Sequence, residues 1–259
     1  MTSVNVLILA GQREGVVDPL CADTGEPRKA LVPILGRPML SYVVDALDAA
    51  ALKEPFHISG CPASVDKRLT QAPSEAGPAG SALAALSHGM SFPVLMTTAD
   101  HPLLTADMIR EFIEKSQATD ADFCLGLAEE TIIHPAYPHV KRTYLRFADH
   151  AVSGCNLFYI ANERGLAAIE FWKDAQHFRK QPLKLARKIS LPLFWRYWRG
   201  KLTLDGALAY ASKTLGITAA PVLMSVPEAA IDVDKPSDRI LVEQILIKEA
   251  ERSIKRETS

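Results

Sequence analysis

Short, almost unbroken apolar runs alternate with segments of helical period along this chain, and that alternation limits its fold more than any other feature. Val4-Asn5-Val6-Leu7-Ile8-Leu9-Ala10, closed by Gly11, has the form of a buried parallel strand that leaves into a loop. Met39 to Leu47 has helical spacing with Pro38 near its start. Phe56 to Ser59 reads as a second strand, and Ser81 to His88 as a helix entered from a Gly-Pro-Ala-Gly turn. Phe92 to Thr98 is a third strand, Thr105 to Ser116 a helix with Thr105 as N-cap, and Phe123 to Ala128 a fourth strand. Strands alternating with helices predict a three-layer α/β/α sandwich with a mostly parallel sheet. After Leu157 to Ile160 the texture changes. Residues 162–216 are helical in pattern, rich in Trp and basic residues, and interrupted by Pro182 and Pro192. Strand pattern returns at Pro221 to Val226, and an amphipathic helix runs from Pro236 to about Arg252. The expectation is one domain over 1–259 with a helical insertion at 162–216.

Charge narrows the function classes. The 259 residues carry 29 Lys+Arg and 30 Asp+Glu, a formal net charge of −1, which argues against a globally basic nucleic-acid binder. The balance hides a dipole. Lys173 to Lys201 holds nine Lys/Arg and one acid, leaving 20 basic and 29 acidic residues elsewhere. The only apolar run at the N-terminus is Val4 to Ala10, with no basic residues before it, too short for a signal peptide. Residues 76–99 lack charge but contain Gly, Pro, Ser and a His, a composition unsuited to a bilayer-spanning helix. Cysteines at 21, 61, 124 and 155 have no metal-type spacing. A cytoplasmic protein with reduced thiols is expected.

Three segments carry chemistry. The loop from Gly11 to Lys29 follows the first strand, so it lies at the carboxyl edge of the sheet, where α/β folds bind ligands. Gly11 permits close backbone approach, and Arg13 and Lys29 supply charges suited to phosphate; the plain alternative is a solvated loop. It is neither a GxxxxGK[ST] P-loop nor a GxGxxG turn. In Thr97-Thr98-Ala99-Asp100-His101-Pro102-Leu103-Leu104 an acid directly follows an apolar strand, placed either to hold Mg²⁺ against phosphates or to cap the next turn. In Ile231-Asp232-Val233-Asp234-Lys235-Pro236-Ser237-Asp238, Asp232 and Asp234 alternate along an extended segment and so share a face. Asp238 suits the first turn of the last helix. Asp232 is the better expected partner of Asp100 in binding a metal.

In order along the chain, Leu9-Ala10-Gly11, Arg13, Pro27-Arg28-Lys29-Ala30-Leu31 and Gly36-Arg37-Pro38-Met39-Leu40 resemble the opening signature of the MobA-like nucleotidyltransferases. Gly77-Pro78-Ala79-Gly80-Ser81, the Asp100 segment and Asp232 to Asp238 resemble that family's later motifs, the resemblance covering about 1–160 and 221–250. It implies a nucleotide-diphospho-sugar transferase-like (GT-A-like) fold and transfer of a nucleoside monophosphate from an NTP to a phosphorylated acceptor, with release of pyrophosphate. It further implies Lys29 and Arg13 as catalytic cations, and Leu9, Ala10, Gly11, Gly77, Gly80 and Ser81 against the nucleotide. Asp100, Asp232 and Asp234 would hold Mg²⁺, and Arg142, Arg146 and Asn156 would face the acceptor. Two departures stand out: Gln12 occupies a position where the family usually has Gly, and Glu14 to Glu26 lengthen and acidify the loop. Other readings are a GT-A-type glycosyltransferase, from Asp232-Val233-Asp234, and a catalytically weak nucleotide-binding or regulatory protein, from Gln12 and the acidic loop.

The insertion lies outside the resemblance. Leu191-Pro192-Leu193-Phe194-Trp195-Arg196-Tyr197-Trp198-Arg199, with the cations before it, interleaves charges and aromatics as an interfacial helix does against anionic lipid. Contact of 173–201 with the inner face of a membrane, or with a lipid-linked acceptor, is one expectation. A helical subdomain with its aromatics in a small core is the other, and nucleic acid is not an expected partner.

Overall fold

The computed structural model describes residues 3–12, 18–140, 142–177 and 191–257. In chain order the elements are β1 (Asn5–Leu9), α1 (Pro19–Thr24), β2 (Pro33–Ile34), β3 (Arg37–Pro38), α2 (Met39–Ala49), β4 (Phe56–Ser59), β5 (Leu69–Gln71) and α3 (Pro78–Ser87). Then come β6 (Val94–Thr98), α4 (Ala106–Ala118), β7 (Phe123–Glu129), α5 (Glu130–Ala136), β8 (Leu145–Arg146), β9 (Ala151–Ile160) and α6 (Leu166–His177). The last described elements are α7 (Leu191–Trp198), α8 (Leu204–Leu215), β10 (Ala219–Leu223) and α9 (Pro236–Glu257). No helix among the described residues is long and apolar enough to cross a membrane.

The main sheet runs β10-β7-β9-β6-β1-β4-β5, with β8 on β9. β1 lies between β6 and β4, parallel to both, and β10 is parallel to β7. β9 is antiparallel to β6, β7 and β8, so it is the reversed strand in a mostly parallel sheet. The continuous apolar run of β1 follows from double burial. Val6 and Ile8 face the core packed with α2 and α4, and Leu7 and Leu9 face the core packed with α3 and α6. That is the α/β/α layering expected of the sequence.

Three local differences from the sequence reading have physical causes. Gly77-Pro78-Ala79-Gly80 is the first turn of α3 and not a free turn: Pro78 sits at the start of the helix, where its missing N–H costs nothing, behind Gly77 at φ 81°. Part of the long acidic loop folds as α1, capped by Asp18 Oδ1 accepting from Leu20 N–H at 2.9 Å and stopped by Gly25 at φ 75°. The insertion also divides. Ile169 of α6 is fully buried and Trp172 stacks on Phe158 at 5.8 Å, so its first helix covers the sheet. Its cations at Arg179, Lys180, Lys184, Arg187 and Lys188 lie outside the described residues.

Both ends of the insertion are tied to one carboxylate that sequence reasoning missed. Buried Asp122, just before β7, accepts from Thr218 N–H at 2.7 Å, Thr218 Oγ1 at 2.9 Å and Asn162 Nδ2 at 2.9 Å. Burial pushes its carboxyl up, but these hydrogen bonds and the Arg164 guanidinium outweigh it, and the net direction is below the ordinary value. A carboxyl depressed in the folded state contributes stability above its unfolded pKa and loses it as pH falls through the folded one. Asp122→Ala therefore costs about 2–4 kcal/mol in urea unfolding at neutral pH, because it strands buried donors. The gap to the parent protein narrows as pH falls below about 4, where Asp122 of the unfolded chain begins to bind its proton, and closes only once pH has passed below the lowered folded value.

Candidate functional site

At the carboxyl ends of β1, β4 and β6 the backbone closes tightly. Ala10 N–H donates to Ser59 O at 2.8 Å, and Ala99 N–H donates to Leu9 O at 2.9 Å. Gly60 follows β4 at φ +89°, and a Cβ there would lie 2.3 Å from Gly11 Cα. Only glycine allows these two loops to touch. Gly60 was not picked out from the sequence; its signal was a glycine directly after the Phe56–Ser59 strand. Arg28, also missed, donates from Nη1 to Gly60 O at 2.8 Å.

These residues open onto a cleft of about 680 Å³ lined by Gly11, Gln12, Pro27, Arg28, Gly60 and the 74–81 segment. Leu9 and Ala10 stand behind it as the strand end. Gly77 and Ser81 line it, whereas Gly80 is buried inside the first turn of α3. The Ser81 hydroxyl receives from Glu75 N–H at 3.0 Å and donates to Glu75 O at 2.9 Å, so it shapes the loop. Arg13 lies outside the described residues.

Lys29 joins this cleft to the two acidic motifs. Its Nζ donates to Asp100 Oδ2 at 2.6 Å and to Asp234 Oδ1 at 2.7 Å. The three residues are brought together by backbone as well, since Val233 N–H donates to Asp100 O at 2.9 Å. Burial alone would lower the Lys29 pKa, but the two carboxylates outweigh it and leave the ammonium more firmly protonated than usual. For Asp100 burial pushes upward, and Lys29 more than reverses it, so the carboxyl stays ionised. Thr98 biases Asp100 the same way without reaching hydrogen-bond geometry.

Asp232 has a different partnership. It accepts from Arg142 Nη1 and from Asn156 Nδ2, the latter at 3.0 Å, which occupies both carboxylate oxygens. Asn156 reaches it through a β-bulge. The β7–β9 register shifts between Leu125 and Leu127, and Asn156 turns to φ 52°, re-aiming its amide out of the sheet. Asp232 and Asp234 do share a face, as their alternation implied, since both line a second cleft of about 490 Å³ with Arg142, Thr143, Ser153, Asn156 and Lys235. Arg142 Nε and Nη2 have no hydrogen-bond partner among the described residues. Arg146 is not brought to this cleft; its guanidinium forks onto Glu130 at 2.6 and 2.8 Å.

The donor set nearest Lys29 suits a hard divalent cation. Asp100 Oδ1 is buried and accepts no hydrogen bond among the described residues, while Asp234 is well exposed, its side chain at 66% against 20% for Asp100. One orphaned and one exposed carboxylate around a site that already holds an ammonium match the oxygen ligands Mg²⁺ takes. Among the described residues no three acidic, His or Cys side chains converge as a ready-made metal cluster. His101 is a structural residue: fully buried, with Nε2 at 3.1 Å from Glu228 O and a pKa lowered by burial.

A model of the MobA-like NTP transferase domain matches residues 20–158. Among solved structures the chain is similar to a hypothetical transferase from Thermus thermophilus, with 28% identity over 92% of this chain and 100% of that one and a TM-score of 0.79. In fold it is also similar to a CMP:2-keto-3-deoxy-manno-octonic acid synthetase complexed with CTP, at 12% identity, 96% and 100% coverage and a TM-score of 0.55. The 2-C-methyl-D-erythritol 4-phosphate cytidylyltransferase from Thermus thermophilus shares the fold at 16% identity, 94% and 98% coverage and a TM-score of 0.53. No curated protein matches the chain in sequence.

The Gly60–Gly11 contact makes its own test. Gly60→Ala adds a left-handed alanine and a collision with backbone, so the two loops must part. Nucleoside triphosphate binding, measured by calorimetry, weakens by at least about tenfold, with a fall of a few degrees in melting temperature.

Proposed function

The chain belongs to the MobA-like NTP transferase family, and we propose that it transfers a nucleoside monophosphate from an NTP to a phosphorylated small-molecule or lipid-linked acceptor, releasing pyrophosphate. The observation that carries this reading is the position of Lys29. Its chain neighbours Pro27 and Arg28 line the glycine cleft, and its ammonium meets Asp234, which lines the second cleft. A cation held between two pockets is suited to a reaction in which a triphosphate in one is attacked by a phosphate from the other.

In this reading the nucleotide lies along Gly11, Gly60, Gly77 and Ser81, where backbone can approach it without side chains intervening. Arg142 and Asn156 face the acceptor, and the buried, unpartnered Nε and Nη2 of Arg142 are donors that its phosphate would satisfy once the guanidinium turns into the cleft. Asp100 and Asp234 would hold Mg²⁺, which supplies charge neutralisation to the phosphates when bound. Asp234 replaces Asp232 as the favoured companion of Asp100, because Arg142 and Asn156 already occupy Asp232. Asp232 instead fixes the acceptor-side guanidinium and amide. The acceptor phosphate is itself the nucleophile, so no Ser or Cys relay is required, and the residues act by positioning and by opposing charge. Lys29 would then turn from its carboxylates to the triphosphate as the leaving pyrophosphate gains charge. Arg13 is proposed to assist from the same loop. A glycosyltransferase built on Asp232-Val233-Asp234 is not favoured, since the family match is to an NTP transferase domain.

Lys29→Ala and Asp100→Asn test this assignment. Each lowers NTP- and acceptor-dependent pyrophosphate release by on the order of 10²–10³, while the melting curve stays cooperative. Release at the parent rate by either variant rules out a catalytic role for Lys29 or a metal-holding role for Asp100.

A further inference from the structure

We propose that α7 is a membrane-docking element, and that it seats the protein on an anionic lipid surface with the second cleft beside that surface. The helix has two faces. Tyr197 turns inward, its ring edge-on to Phe147 at 5.8 Å and its hydroxyl accepting from Arg146 N–H at 3.4 Å. Phe194, Trp195 and Trp198 turn outward, exposed to 40%, 51% and 68%. Their spacing puts all three on one side of a single turn. The two indoles stack at 5.1 Å and 9°, and Arg199 lies over Trp195 at 5.2 Å. Three large rings grouped on one exposed turn form an apolar patch of the size that often marks an interaction site.

Charge and area select lipid as the occupant. The first is charge: Arg196, Arg199 and Lys201 flank the rings, and all three are exposed. Amphipathic rings among cations are the composition that settles at an anionic headgroup layer. The second is area. The exposed parts of the three rings amount to roughly 240–400 Å², taking about 150–250 Å² for a whole aromatic side chain. A stable protein partner needs about 800 Å² on each side. A shallow bilayer insertion needs far less.

The placement has a consequence for the acceptor. α7 leans on β8, which pairs Leu145 with Val152 and Arg146 with Ala151 of β9. Ser153 and Gly154, next along β9, line the second cleft. At about 3.4 Å per residue the cleft begins within roughly 10 Å of the docking helix. An acceptor phosphate on a lipid headgroup could enter it without leaving the membrane. This last step rests on the proposed nucleotidyl transfer; the docking surface does not.

The test is co-sedimentation of the full chain, without nucleotide, with vesicles of equal parts phosphatidylglycerol and phosphatidylcholine, against phosphatidylcholine alone, at about 50 mM salt. Binding is expected to the anionic vesicles only. Trp195→Ala/Trp198→Ala and Arg196→Gln/Arg199→Gln should each weaken it about tenfold or more, with unchanged melting temperatures. In a Trp172→Phe background the remaining two tryptophans should shift their emission to the blue on those vesicles. Absence of vesicle binding overturns the proposal, as does binding that the tryptophan variant leaves intact. So does loss of a dimer, or of nucleic-acid binding, in that variant in place of loss of lipid binding. Because nucleotide is absent, failure of vesicle binding leaves pyrophosphate release untouched, and failure of pyrophosphate release leaves vesicle binding untouched.

Discussion

One ammonium holds the centre of this molecule together. Lys29 Nζ lies within 2.7 Å of both Asp100 and Asp234, residues that come from three distant parts of the chain. Asp100 is largely buried, and a buried carboxylate without a partner is several kcal/mol out of balance. The lysine removes that imbalance and at the same time brings the carboxyl ends of β1 and β6 against the strand-like segment before α9. The backbone bond from Val233 to Asp100 then fixes how Asp232 and Asp234 point, one toward Arg142 and Asn156 and the other toward Lys29. Two clefts result, one with Gly11, Gly60 and Gly77 in its lining and the other with Arg142, Asp232, Asp234 and Lys235.

The charges of this arrangement satisfy one another. Lys29 shared by two carboxylates and Arg142 tied to a third make a site whose internal pairs would be exchanged for pairs with the proposed ligands. A triphosphate with a divalent cation offers that exchange, negative charge for Lys29 and positive charge for Asp100 and Asp234. The glycines on the other side ask for little in return, because Gly11 and Gly60 present backbone alone.

The sheet was legible in the sequence because double burial leaves an unmistakable trace: Val6 to Leu9 have no polar face to show. Asp100 was legible for the same reason, as the acid that breaks an apolar run at its carboxyl end. The period of two also placed Asp232 and Asp234 on one cleft. Which of them keeps free oxygens was not legible, since that depends on Arg142, 90 residues away, and on the bulge that turns Asn156 out of β9. Asp122 was silent in the sequence because its partners, Asn162 and Thr218, meet only once the intervening helices have folded. How the insertion divides was not legible in its composition: α6 is part of the core, while α7 carries its rings outward. The overall charge of −1 conceals this as well, averaging an acidic remainder with a basic, aromatic stretch of sequence.

The central claim is that Lys29, Asp100 and Asp234 form the place where triphosphate and Mg²⁺ meet. A crystal structure with a non-hydrolysable nucleoside triphosphate analogue and Mg²⁺ tests it most directly. The expected result is phosphates over Gly11, Lys29 released from at least one carboxylate onto them, and a divalent ion on Asp100 and Asp234. A nucleotide bound elsewhere, with Lys29 still clamped between both aspartates, would contradict it.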